Sequence, residues 1–241
     1  MSLEVRDVTV RFGGHTALDA VSLDAPTGSV TGLIGPNGAG KTTLFNVITG
    51  VQRAQQGSVL LDGAALDGLA PHTRAKRGLG RTFQRLELFS SLTVRENIRV
   101  AVSARPGRQS SATVTAATDE LIGRLDLGDL ADVRADSLST GTGRIVELAR
   151  CLALDPKVLL LDEPASGQDD QETERFAAVL TELAAAGAAV LLVEHDMDLV
   201  MRVCDHIHVL DFGRLLASGG PDEIRADATV RAAYLGDEVP A

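Results

Sequence analysis

The stretch Gly35-Pro36-Asn37-Gly38-Ala39-Gly40-Lys41-Thr42-Thr43 has the spacing G-x-x-x-x-G-K-[ST], with Gly35, Gly40, Lys41 and Thr42 at its fixed positions. Glycines so spaced let successive backbone N–H groups turn inward around phosphate oxygens. A helix opening near Lys41 adds its positive N-terminal end to the same anion. Lys41 then reaches the β- and γ-phosphates of a nucleoside triphosphate, and the Thr42 hydroxyl is placed to ligate Mg2+. Two acids, Asp162 and Glu163, close the apolar run VLLLDE (158–163). A buried strand ending in Asp puts a carboxylate at the sheet edge where ligands bind in such folds, which suits Asp162 to Mg2+. Glu163 points elsewhere and suits a base that positions water. The ordinary alternative for this pair is a helix cap. His195 closes a second apolar run, AAVLLVEH (188–195). A lone histidine is commonly structural, but at a sheet edge beside a phosphate loop its imidazole suits a γ-phosphate.

These groups need strands that end together. SVTGLIG (29–35) reads as a short apolar strand leading into the glycine loop, and KTTLFNVITG (41–50) as a helix stopped by Gly50. KVLLLDE (157–163), after its leading lysine, and AAVLLVEH are apolar until their last residues, as strands covered on both faces should be. Phe176, Val179, Leu180 and Leu183 fall at i, i+3, i+4 and i+7, one helix face. Upstream, LEVRDVTVRF (3–12), ALDAVSLDA (17–25) and SVLLDG (58–63) read as strands with turns between them. From about 86 to 150 helical signals dominate; RPGRQSSAT (105–113) reads as an exposed loop and TAATDELIGRLDL (115–127) as a helix. The tail PDEIRADATVRAAYLG (221–236) also reads as a helix. Strands alternating with helices predict a mostly parallel α/β sheet carrying an inserted helical subdomain.

Composition narrows the class. The 241 residues are 44% hydrophobic and 23% charged, an ordinary globular balance, with 33 acids against 23 bases and a formal charge of −10. Such a surface repels phosphate backbones, and six Phe, one Tyr and no Trp make a poor stacking platform, so nucleic-acid binding is not expected. Cys151 and Cys204 lie in no CxxC or Cys/His cluster, so buried reduced thiols are expected, not zinc or a disulfide. Glu4 and Asp7 stand where a signal peptide would be apolar, and no run approaches 18 apolar residues, so a cytoplasmic chain is expected. Arg74, Lys76, Arg77, Arg81 and Arg85 form a locally basic stretch, read as a solvated face or as contact with headgroups or a membrane subunit.

The order GPNGAGKTT, TFQ (82–84), LSTGT (138–142), LLLDEP (159–164) and EHD (194–196) resembles the nucleotide-binding subunit of ABC transporters over essentially the whole chain. RTFQRLELFSSLTVRENI (81–98), VEHDMDLVMRVCDHIHVL (193–210) and AYLG (233–236) are similar to the branched-chain amino acid uptake ATPases. The resemblance implies one α/β P-loop NTPase domain. Its nucleotide-binding core would be 1–85 and 151–241, with an N-terminal antiparallel β subdomain, and its helical subdomain about 86–150. It implies ATP and Mg2+ as cofactors. Phe12 would stack on adenine, against the plainer reading of a core Phe. Gln84 would touch Mg2+, Glu163 would be the general base and His195 the γ-phosphate residue. Ser139 and Gly141 would meet the ATP of a second subunit, with Asp169 at the dimer contact. The implied partners are hydrophobic permease subunits, a second ATPase subunit and, indirectly, a solute-binding protein, at the cytoplasmic face of the membrane. The signature departs from L-S-G-G-Q: Thr140 adds a branched side chain, Thr142 lacks the amide, and Gln168 replaces a usual leucine. That departure favours an asymmetric heterodimer. A DNA- or ribosome-directed ATPase of this kind would carry a coiled-coil insertion or a second cassette and this sequence shows neither, and the retained Glu163 and His195 argue against a non-hydrolysing regulator.

Overall fold

The computed structural model describes residues 2–232. Its strands in chain order are β1 (Ser2–Phe12), β2 (His15–Pro26), β3 (Ser29–Ile34), β4 (Gln56–Leu61), β5 (Ala64–Ala65), β6 (Leu79–Arg81), β7 (Val158–Asp162), β8 (Ala189–Val193), β9 (His206–Asp211) and β10 (Arg214–Gly219). The helices are α1 (Lys41–Thr49), α2 (Pro71–Lys76), α3 (Val94–Ser103), α4 (Ser111–Arg124), α5 (Thr140–Leu152), α6 (Asp170–Ala185), α7 (Met197–Val203), α8 (Pro221–Ala226) and α9 (Ala228–Val230). One sheet is antiparallel, in the order β2-β1-β4-β5. The other runs β10-β9-β3-β8-β7-β6, parallel except at the β10–β9 hairpin.

The period of two along each strand divides the core. Val30, Ile34, Leu159, Leu161, Val190, Leu192, Ile207 and Val209 pack with α3, α4, α5 and α6 on one face. Leu33, Val158, Leu160, Ala189, Leu191, Val193 and Leu210 pack on the other, against the antiparallel sheet and α1. Every residue of β7 and β8 is therefore buried, which explains why these runs carry no polar alternation. Phe176, Leu180 and Leu183 are buried as their spacing predicts, with Val179 partly buried beside them. Cutting one such leucine to alanine costs about 2–5 kcal/mol.

This topology makes the site. β8 lies between β3 and β7, all three parallel. Their C-terminal ends thus deliver Gly35, the pair Asp162-Glu163, and Glu194-His195 to one edge. Gly50 stops α1 in the left-handed region, φ 81°, as its type suggests.

Two expectations need correction. The loop 105–113 is shorter, because Ser110 accepts from Thr113 N and caps α4, drawing 111–113 into the helix. The tail is not one helix: Asp227 takes an extended conformation after α8, and its carboxylate caps α9 through Thr229 N and Val230 N. Residues 233–236, including AYLG, lie outside the described residues.

Candidate nucleotide site

Backbone sterics fix the loop after β3. At Gly35, φ +149°, a Cβ would lie 2.0 Å from the Leu210 carbonyl oxygen, and at Gly40, φ +109°, it would lie 2.7 Å from that of Ala17. Only glycine fits either place. Gly38, φ +83°, faces open space. Gly40 caps α1 without a side-chain hydrogen bond. Among the described residues, the N–H groups of Lys41, Thr42 and Thr43 make no hydrogen bond, so the helix end is an open anion site. Pro36, Asn37 and Ala39 complete the turn, with Ala39 N donating to Pro36 O at 3.2 Å. The Lys41 ammonium is folded onto its own loop, donating to Gly35 O at 2.5 Å and Pro36 O at 3.1 Å. Its side chain is 7% exposed. Burial lowers its pKa, opposed by the charges of Glu163 and Asp162.

Beside the loop, Glu163 is held from both sides. Its Oε1 lies 2.7 Å from His195 Nε2, and its Oε2 accepts from Gln84 Nε2 at 2.9 Å. The backbone supports this: Glu163 sits at φ 49°, unusual for a non-glycine residue, and its N–H donates to Val193 O at 2.8 Å. Glu163, Gln84 and His195 thus form one network. Sequence reading missed Glu194 and its task. Glu194 is 3% exposed; its oxygens accept from Ala165 N at 2.7 Å and His195 N at 3.0 Å, which staples the two loops together. Burial pushes its carboxyl up, against the pull of those backbone donors. Its signal was an acid at the end of an apolar strand, the same one that marked Asp162. A small cavity of about 160 Å³ opens among Glu163, Ala165, Ser166, Glu194, His195 and Asp196.

Asp162 is buried, and burial raises its pKa; the Arg81 guanidinium, donating to Oδ2 at 3.1 Å, pulls it down. Among the described residues no hydrogen bond reaches Oδ1. Gln84 spends its amide nitrogen on Glu163, leaving its oxygen. These atoms and the Thr42 hydroxyl, at the start of α1, are hard oxygen donors. That suits Mg2+, which keeps several waters and takes phosphate oxygens rather than a full protein cage.

Phe12 is 50% exposed at the end of β1, opposite His15, so it is not a core residue. Its hairpin reaches the loop, since Ala17 packs on Gly40. Ser139, Gly141 and Asp169 form a second patch. The Ser139 hydroxyl caps α5 through Thr142 N at 3.2 Å and donates to Glu172 Oε1 at 2.6 Å. A Cβ on Gly141 would lie 2.3 Å from Glu172 Cδ. Asp169 caps α6, accepting from Glu172 N at 2.8 Å while Glu172 Oε2 accepts from Asp169 N at 3.3 Å. No hydrogen bond among the described residues joins Ser139, Gly141 or Asp169 to the phosphate loop, Glu163 or His195.

The basic stretch is not a uniform solvated face. Arg74 is buried and donates to Val47 O and Ile48 O, each at 2.8 Å, closing the C-terminus of α1. The Arg81 side chain is only 8% exposed, turned in against Asp162; Lys76, Arg77 and Arg85 are exposed. Next to them lies a cavity of about 530 Å³, lined by apolar Val51, Phe83, Phe89, Val100 and Leu154 and reaching Arg81. All five of those apolar side chains are exposed. Cys151 and Cys204 are free thiols, each pushed up to about 12 by burial. No described helix is long and apolar enough to cross a membrane.

The chain is similar to known proteins in sequence and fold. The family described as ABC transporter matches residues 18–166, and the one described as branched-chain amino acid ATP-binding cassette transporter matches 214–240. The high-affinity branched-chain amino acid transport ATP-binding protein BraF of Pseudomonas aeruginosa is 39% identical, covering 98% of both chains. The lipopolysaccharide export system ATP-binding protein LptB of Haemophilus influenzae is 34% identical, also covering 98% of both. A solved structure, the ADP conformation of the ATP-binding cassette MJ1267 of an ABC transporter, superposes with a TM-score of 0.86 at 30% identity, covering 98% of this chain and 100% of that one.

Proposed function

The chain belongs to the ABC transporter ATP-binding family and is an ATPase; from that premise we propose that it powers an importer of branched-chain or other hydrophobic amino acids, or related amides, from the cytoplasmic face of the membrane. The observation that carries the chemical part is the Gln84–Glu163–His195 network beside an open helix terminus.

In this reading the first-turn N–H groups of α1 and the Lys41 ammonium take the β- and γ-phosphates, with Lys41 leaving its two carbonyls. Phe12 stacks on adenine. Asp162 Oδ1, the Thr42 hydroxyl and Gln84 Oε1 would hold Mg2+, which when bound would neutralise charge on the phosphate oxygens. The lone subunit keeps both Glu163 oxygens engaged. When His195 turns to the γ-phosphate and Gln84 lets go of Oε2, Glu163 is released to accept a proton from the attacking water. The second patch, Ser139 and Gly141 with Asp169 alongside, closes on the ATP of a second ATP-binding subunit. The apolar groove beside Phe83 and Phe89 receives a segment of a hydrophobic permease subunit, one residue from Gln84. Residues 1–85 and 151–241 serve as the nucleotide core and about 86–150 as the helical subdomain.

The transport assignment is supported by the match over 214–240 and by BraF. Export is the second reading, because LptB is similar over the same length. Glu163→Gln tests the chemistry: ATP turnover is expected to fall at least about 100-fold while an ATP-bound dimer accumulates in gel filtration. Turnover at the parent rate would remove Glu163 from the base role. Uptake of labelled leucine into vesicles carrying the cognate permeases separates import from export.

A further inference from the structure

Arg81 touches Asp162, α1 and the apolar groove at once. Its Nη2 donates to Asp162 Oδ2 at 3.1 Å, and its Nη1 donates to Asn46 Oδ1 at 2.7 Å and Thr49 Oγ1 at 3.3 Å. Asn46 and Thr49 belong to α1, the helix that opens on the phosphate loop. The same guanidinium lies 4.9 Å from the centre of the Phe83 ring and lines the apolar groove. A second ring, Phe45, lies beneath it at 5.6 Å in the core. Its Nε has no hydrogen-bond partner among the described residues. Arg81 is therefore clamped by planar contacts on two rings and by forked donors on two elements, a geometry a lysine cannot reproduce.

We propose that Arg81 is the positioning residue of the metal-binding carboxylate, and that occupancy of the groove reaches the metal site through it. By occupying Oδ2, it leaves Oδ1 of Asp162 as the free ligand atom and holds the carboxylate's rotation relative to α1. Outer partners that orient ligating carboxylates set metal affinity in this way. Because Phe83 is exposed in the groove and stacks on the guanidinium, a segment that presses on Phe83 shifts Arg81, and with it Asp162. This route needs no movement of Gln84. It rests on the reading of Asp162 as a metal ligand and of the groove as a docking surface.

The test measures Mn2+ binding to the ATP-loaded subunit by electron paramagnetic resonance, with metal-free ATP affinity and thermal melting alongside. Arg81→Gln is expected to weaken Mn2+ binding about tenfold while metal-free ATP affinity stays within about twofold. Arg81→Lys should recover part of the loss. Phe83→Ala, which leaves every hydrogen bond of Asp162 in place, should weaken Mn2+ about two- to threefold. If Arg81→Gln fails to fold, the lysine and Phe83 variants carry the test. Parent Mn2+ affinity in Arg81→Gln, or in both of the others, overturns the proposal. Asp162→Asn separates the two levels. If that variant keeps full Mn2+ affinity, the reading of Asp162 falls and Arg81's role with it. If it loses affinity and the Arg81 variants do not, only Arg81's role falls.

Discussion

Two helices of this chain begin where phosphate would be met, and they begin differently. α1 starts at Gly40 with no side-chain cap, its first N–H groups open and its lysine parked alongside. α5 starts at Ser139, whose hydroxyl caps Thr142 N, and the Glu172 carboxylate already lies against Ser139 and Gly141. The first terminus holds N–H groups preorganised for an anion, which no acceptor among the described residues takes up, and only the Lys41 ammonium must move. The second satisfies itself in the lone subunit, and in the proposed dimer it would serve an outside phosphate only when Glu172 yields. Preformed donors need no reorganisation on binding, whereas self-satisfied ones do. The departures from the usual signature at Thr140 and Thr142 therefore sit at the adaptable terminus, and the rigid one matches its pattern throughout.

The sharpest way to break the contrast is to add one methyl group at each terminus. In Gly40→Ala the new carbon meets a backbone carbonyl at 2.7 Å with φ +109°. Neither can give, so a loss of about 3 kcal/mol or more is expected, with ATP binding lost in equilibrium titration. In Gly141→Ala the new carbon meets a side-chain end that rotates away, and alanine suits a helix better than glycine by about 0.8–1.0 kcal/mol. This variant is expected to melt near the parent and to bind ATP as a lone subunit, yet to lose most of its turnover. If Gly141→Ala proves the less stable of the two, the rigid and adaptable assignments are reversed.

A smaller effect is expected from Ser139→Ala. Losing the cap costs about 1 kcal/mol, a fall in melting temperature of about 2–4 °C for a chain of this size. Turnover should fall while the subunit's own ATP affinity holds, because no hydrogen bond among the described residues joins Ser139 to its own phosphate loop. An equal loss of ATP affinity would join the two termini into one site.

The same contrast explains what the sequence made legible. The phosphate loop is local: its glycines, lysine and threonine act within nine residues, so spacing alone points to the turn and the helix after it. The strands β7 and β8 were equally plain, because burial on both faces leaves a continuous apolar run. The pairs that tune the site are long-range. Arg81 meets Asp162 across 81 positions, Gln84 meets Glu163 across 79, and Ser139 meets Glu172 across 33. Nothing in the types of these residues names their partners; the β3-β8-β7 order does. Arg81 even read as part of an exposed basic face, since charge along a chain does not reveal which arginine turns inward. The break at Asp227 was missed for a related reason: an aspartate inside a helical pattern signals a new cap only once the chain bends there.

The finest test of the contrast is Glu172→Gln. The amide keeps the size, and glutamine is accepted in a capping box, so stability should stay within about 0.5 kcal/mol of the parent. What changes is charge. In the proposed dimer a γ-phosphate approaches Ser139 and Gly141, where Glu172 lies, and two like charges about 4 Å apart in water repel by about 1 kcal/mol. Removing one should strengthen ATP-driven dimerisation about fivefold. Sedimentation of Glu172→Gln in a Glu163→Gln background, which prevents turnover, measures this against Glu163→Gln alone. The gain should shrink at high salt, as screening weakens exposed charges. Unchanged or weaker dimerisation would make Glu172 no more than the capping-box partner of Asp169, and α5 would then be as ready for phosphate as α1.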